Sequence, residues 1–144
     1  MAALKVQPQY PGQVPTPRLL EQSWIEANVM RGCNHPNIVG YYSHFVVSSA
    51  LRYASSSPGA RTYQVCILME YASAGDLHDE VKRFPGQRMP EAAAQYYAHH
   101  MASGLRYLHS KYVLHDDLHI GNVLLKYRPN GFKVAIISDF GITQ

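Results

Sequence analysis

Cysteine is scarce: Cys33 and Cys66 are the only two in 144 residues. Two cysteines make no disulfide framework and no metal-ligand pair, so they read as buried free thiols in a reducing compartment. Charge is also thin, at 16% of residues, and the net charge of +3 is mild. No basic run or stripe argues for nucleic acid. No apolar run approaches a membrane span. The opening Met1-Ala2-Ala3-Leu4-Lys5-Val6-Gln7 turns polar too quickly for a signal peptide. The expectation is an intracellular, soluble, cytoplasmic protein with neither nucleic acid nor a membrane as partner. What is present is a 47% hydrophobic fraction, enough for one folded domain or a piece of a larger one.

Proline and glycine divide the chain. Residues 2–7 read as a short strand interrupted by Lys5. Pro8, Pro11, Pro15 and Pro17 make 8–17 a linker. Leu19, Leu20, Trp24, Val29 and Met30 then suggest a helix that Gly32 ends. His35-Pro36-Asn37 is a turn, and the β-branched and aromatic run 38–47 is a strand. Five serines, a proline and a glycine make 48–61 a surface loop. Residues 63–71 form a largely apolar, buried strand. Asp76 can cap a short helix through Phe84, and Pro85-Gly86 is a turn. Pro90 opens the clearest helix, with an apolar stripe of Ala94, Tyr97, Met101, Leu105, Leu108 and Tyr112. Segments 123–126 and 132–137 read as a hairpin around Pro129-Asn130-Gly131.

The chemistry concentrates near the end. Val113-Leu114-His115-Asp116-Asp117-Leu118-His119-Ile120-Gly121-Asn122 is followed by Ser138-Asp139-Phe140-Gly141. The order is an aspartate, an asparagine five residues later, and a second aspartate in an Asp-Phe-Gly triplet. One carboxylate to orient a hydroxyl and two oxygen ligands for magnesium are what phosphoryl transfer requires.

These residues resemble the catalytic and magnesium loops of a protein kinase. The resemblance extends over nearly the whole chain and leans towards the Ser/Thr kinases. It implies an α+β, two-lobe kinase-like fold, incomplete, about half of such a domain. Residues 1–70 would be an N-lobe portion lacking the glycine-rich loop, 71–76 the hinge, and 77–144 a C-lobe portion. The implied activity is ATP- and magnesium-dependent phosphoryl transfer to protein Ser/Thr hydroxyls, with ATP and Mg2+ as cofactors and a protein as substrate.

The roles carry over residue by residue. Ala3-Leu4-Lys5-Val6 resembles the strand whose lysine holds the nucleotide phosphates, though four residues alone read equally well as a solvated lysine. Glu26 lies nine residues before His35 of the His35-Pro36-Asn37-Ile38-Val39 run. It matches the glutamate that pairs with that lysine. Ile67-Leu68-Met69-Glu70-Tyr71-Ala72 resembles the hinge. There Met69 is the gatekeeper, the Glu70 carbonyl and Ala72 amide read the adenine edge, and Asp76 lies near ribose or peptide. Leu124 would floor the adenine pocket. Asp117 is the base-like aspartate, and Asn122 and Asp139 are the magnesium ligands.

The pattern also breaks. The usual His-Arg-Asp is His115-Asp116-Asp117, and an aspartate would repel the phosphate of an activation loop. His119 replaces the lysine that steadies the γ-phosphate. No glycine-rich loop precedes Lys5, and the chain stops soon after Asp-Phe-Gly. Weak or absent activity and marginal stability are therefore expected of this chain alone. A pseudokinase-like nucleotide- or protein-binding module is the alternative. His115 and His119, at i and i+4 around a carboxylate, suggest a remote third reading as a zinc hydrolase, which requires a helix there.

Overall fold

A computed structural model describes residues 1–6, 17–50 and 61–139. The elements run β1 (Ala2–Val6), α1 (Pro17–Arg31), β2 (Tyr41–Ala50), β3 (Arg61–Glu70), α2 (Leu77–Lys82), α3 (Glu91–Ser110), β4 (Val123–Tyr127) and β5 (Lys133–Ile137). One-turn 3-10 helices lie at Pro85–Gln87 and Ile120–Asn122. Most of the linker 8–17, the middle of the loop 48–61, and Phe140 and Gly141 of the triplet lie outside the described residues. Pro17 is an exception. It opens α1, where its fixed φ and missing N–H cost nothing.

Among the described residues, two antiparallel sheets form. β1 and β2 flank β3, with Lys5 opposite Ile67, and β4 pairs with β5 as the expected hairpin. The hairpin loop closes through Gly131 at φ 81, a left-handed conformation that a Cβ would strain. Its amide donates to the Arg128 carbonyl at 2.9 Å.

Several expectations need correction. The strand read over 38–47 begins at Tyr41. Asn37 to Val39 instead pair with the end of β5: Val39 N–H donates to the Ile137 carbonyl and Ile137 N–H to the Asn37 carbonyl, each at 2.9 Å. The buried Asn37 side chain also donates to the Ala135 carbonyl at 2.9 Å. This segment thus ties the N-terminal half to the hairpin. In α1 the buried face is Ser23, Glu26, Ala27 and Met30. Trp24 is turned out, its ring edge-on to His44 at 4.4 Å. A carboxylate inside the stripe rotates the helix away from the purely apolar register.

The long helix α3 buries Tyr97, Gly104 and Leu108, with Met101 and Leu105 partly covered. Ala94 is exposed and Tyr112 is 94% exposed, so the expected stripe is too long at both ends. Tyr112 lies beyond the helix. Val113 N–H donates to the Leu108 carbonyl and Tyr112 N–H to that of His109, both at 3.0 Å. That is a Schellman stop, and its left-handed position, φ 59, holds a tyrosine rather than glycine. A left-handed non-glycine residue costs about 1 kcal/mol or more. Tyr112→Gly should therefore raise stability by about 1 kcal/mol, read as a higher urea midpoint at unchanged m-value.

The core sits between the two halves. Ala27, Met30, Ile38, Val39, Ile67, Leu108, Ile136 and Ile137 form one cluster. Ala74, Leu77, Tyr97, Val123, Leu125 and Ala135 form the second, under α2 and the hairpin. Beside it, buried Glu80 pairs with Lys133 at 2.5 Å and Arg83 at 3.3 Å and accepts from the Tyr97 hydroxyl at 3.3 Å. Burial and then the Glu80 charge push the Tyr97 phenol up to about 12. Cys66 is buried and Cys33 half-buried, both as free thiols.

Candidate active site

The first cluster is built from three distant parts of the chain. Lys5 projects from β1, Glu26 from the inner face of α1, and Asp139 follows β5. Lys5 Nζ donates to Glu26 Oε1 at 2.7 Å and to Asp139 Oδ1 at 2.5 Å. Burial opposes the Lys5 charge. The hydrogen bonds to Asp139 and then Glu26, with the charges of both carboxylates, outweigh it and hold its pKa above the ordinary lysine value. Lys5 is therefore a fixed cation across the neutral range, and its contribution to stability is lost only as pH rises through that raised value.

The second cluster is the loop between α3 and β4. His115 is buried, its Nε2 2.8 Å from the Ser138 carbonyl oxygen. Asp117 N–H donates to the His115 carbonyl at 2.7 Å, and Asn122 Nδ2 donates to the Asp117 carbonyl at 2.9 Å. The Asp117 main chain is pinned on both sides while its side chain stays 71% exposed. Asp116 at φ 58 and Asp139 at φ 64 are left-handed. Aspartate tolerates this better than most residues, and such strain gathers at functional sites.

Ser138 joins the clusters. Its N–H and hydroxyl both donate to the Asn122 carbonyl, at 2.9 and 3.0 Å. Asp139, the next residue, is thereby held beside the Asp117–Asn122 loop. Asn122, its amide nitrogen already donating, presents an amide oxygen; Asp139 presents a carboxylate. Two hard oxygen donors of this kind suit magnesium.

The third group is apolar. Met69, Ala72 and Leu124 are half-buried against the first core cluster. The 71–76 segment is docked on β4: Ala74 N–H donates to the Leu125 carbonyl at 2.9 Å and Leu125 N–H to the Gly75 carbonyl at 2.8 Å. The Glu70 carboxylate pairs with Lys126 at 2.5 Å. Asp76 is the N-cap of α2, its Oδ1 accepting from Asp79 N–H at 2.7 Å. Sequence reasoning foresaw that cap but missed the Glu70–Lys126 pair, which lies 56 positions apart in sequence and leaves no local pattern.

The zinc-hydrolase reading fails on geometry. Residues 113–119 are not helical, so His115 and His119 do not share a helix face. Among the described residues, the group of three His, Cys, Asp or Glu side chains that meets at metal-ligand range is Asp76, His78 and Asp79, half-buried or exposed at the start of α2. Asp76 is already engaged there as the cap. Nor is any described helix long and apolar enough to cross a membrane.

The fold is that of an α+β domain, and the pattern of the protein kinase domain matches residues 2–144. The chain belongs to the protein kinase family. It is 33% identical over 119 residues to rat NUAK family SNF1-like kinase 2 (Rattus norvegicus), covering 83% of this chain and 16% of that protein. It is 34% identical over 119 residues to the mouse serine/threonine-protein kinase Nek4 (Mus musculus), covering 83% and 13%. It is 28% identical over 130 residues to the probable serine/threonine-protein kinase nek3 of Dictyostelium discoideum, covering 89% and 10%. The chain thus spans at most about a sixth of these relatives' lengths.

Proposed function

We propose that this chain carries the nucleotide and magnesium residues of a serine/threonine protein kinase. Residues 1–70 act as N-lobe, 71–76 as hinge and 77–144 as C-lobe. The observation that carries this reading is the meeting of Lys5, Glu26 and Asp139 across 134 positions of sequence. Magnesium ATP, when bound, supplies the γ-phosphoryl group and the divalent charge. Lys5 offsets the anionic phosphates, and Glu26 keeps its ammonium in place. Asp139 and Asn122 offer the oxygen ligands. Met69, Ala72 and Leu124 give a flat aromatic ring an apolar seat, and the Glu70 carbonyl and Ala72 amide are the polar groups at its edge. Asp76 keeps its second oxygen for a ribose hydroxyl or a peptide. Asp117 takes the hydrogen bond of the incoming Ser or Thr hydroxyl and aims its oxygen.

Labelled γ-phosphoryl transfer to a serine peptide tests this. Transfer by the wild-type chain, even if slow, should fall at least about 100-fold in Asp117→Asn, the usual scale for losing a positioned acid–base group. A second reading, nucleotide binding without turnover, is favoured by Asp116 and His119, which stand where the family has arginine and lysine. Magnesium-dependent ATP binding with no Asp117-dependent transfer would select it.

A further inference from the structure

His119 stands at the position of a phosphate-steadying lysine, yet its surroundings suit a different task. Its Nδ1 accepts from the Gly121 N–H at 3.1 Å, capping the 3-10 turn at Ile120–Asn122. A lysine ammonium has no lone pair and could not make this bond. The same bond requires Nδ1 to be unprotonated, which places the ring proton on Nε2. Nε2 lies 3.9 Å from Asp117 Oδ2, one small rotation short of a hydrogen bond.

The ring position is set by a second, steric feature. A Cβ on Gly121 would meet His119 Cε1 at 3.0 Å and Nδ1 at 3.1 Å. Those distances are too short for a side chain to be added without moving the imidazole. Gly121 is thus the seat on which the ring lies, and the glycine and the histidine work as a pair.

We infer that His119 is a positioning residue for Asp117: latched by Gly121 as the Nε2–H tautomer, it presents a neutral donor to the Asp117 carboxylate instead of a cation to phosphate. This rests on the reading of Asp117 as the residue that receives the substrate hydroxyl. Asp117 is held through its main chain by His115 and Asn122, neither of which orients the carboxylate. The His119 ring supplies that orientation.

The test is nuclear magnetic resonance on the wild-type chain, His119→Asn and Gly121→Ala, at a pH where imidazole is neutral and without nucleotide. In the wild type, the Gly121 amide nitrogen should couple across its hydrogen bond to His119 Nδ1, and Nε2 should carry the proton. His119→Asn retains a side-chain cap acceptor but not the ring donor. Gly121→Ala retains the ring but pushes it aside by a few tenths of an ångström. Both variants should shift the Asp117 carboxyl 13C resonance while leaving that of Asp139 in place. An Asp117 resonance unchanged in His119→Asn, or a wild-type His119 protonated on Nδ1, would overturn the inference. Neither readout needs turnover, so loss of the kinase reading itself would leave these signals untouched and be recognised separately.

Discussion

Gly104→Val is expected to destabilise the chain by roughly 3 kcal/mol, the upper range for overpacking a tight core. Gly104 lies in the middle of α3, where glycine ordinarily costs about 0.5–1 kcal/mol relative to alanine. Here the sign reverses. A Cβ at this position would meet the Asn37 carbonyl oxygen and Ile137 Cδ1, each at 2.9 Å, and Ile38 Cδ1 at 3.2 Å. The Asn37 carbonyl is backbone and already accepts from Ile137 N–H, so it cannot yield without breaking the link between the two halves. Even Gly104→Ala should lower the urea midpoint, and valine should lower it several times further. With a typical domain stability of about 5–15 kcal/mol, a valine here removes a large part of the total. A midpoint raised by alanine would show that α3 has room to move away.

Lys5→Met should weaken binding of magnesium ATP by about 100-fold. Hydrogen bonds to charged groups contribute roughly 1.5–3 kcal/mol, and about 1.4 kcal/mol is tenfold in affinity. Methionine keeps the length of the stem, so the loss reports the charge and not a cavity. The substitution should also lower stability in the absence of nucleotide, because Glu26 and Asp139 would then face each other without the ammonium between them. Glu26→Gln is the informative companion. It keeps the shape and a hydrogen-bonding oxygen near Lys5, so its effect on nucleotide affinity should be the smaller of the two. Equal losses in both variants would mean that Glu26 does more than hold Lys5.

The residues proposed to carry chemistry were the most legible part of the sequence. Asp117, Asn122 and Asp139 announce themselves by type and spacing, and Glu26 by its distance from the His35–Val39 run. The structure brings Lys5, Glu26 and Asp139 into direct contact, which the four residues around Lys5 could not have indicated alone. Element types were also readable, because the apolar runs of β3 and β5 and the period of α3 are local signals. What escaped was long-range. Residues 38 and 39 look like the start of β2, but they pair with Ile137, nearly a hundred positions away. Gly104 looks like a defect in a helix, and only the backbone packed against it shows why it is there. Glu80 resembles any helix glutamate until Lys133, Arg83 and Tyr97 close around it. Trp24 helped to mark α1 as a helix, but it lies outside the face that packs inward, which carries Ser23, Glu26, Ala27 and Met30.

The central claim is that Asp139, held beside Asn122 and Lys5, forms a magnesium nucleotide site. Calorimetric titration with ATP, with and without magnesium, on the wild type and Asp139→Asn tests it most directly. The account predicts that magnesium tightens ATP binding to the wild-type chain and that Asp139→Asn abolishes this difference. Binding that is indifferent to magnesium, or a magnesium effect that survives in Asp139→Asn, would contradict it.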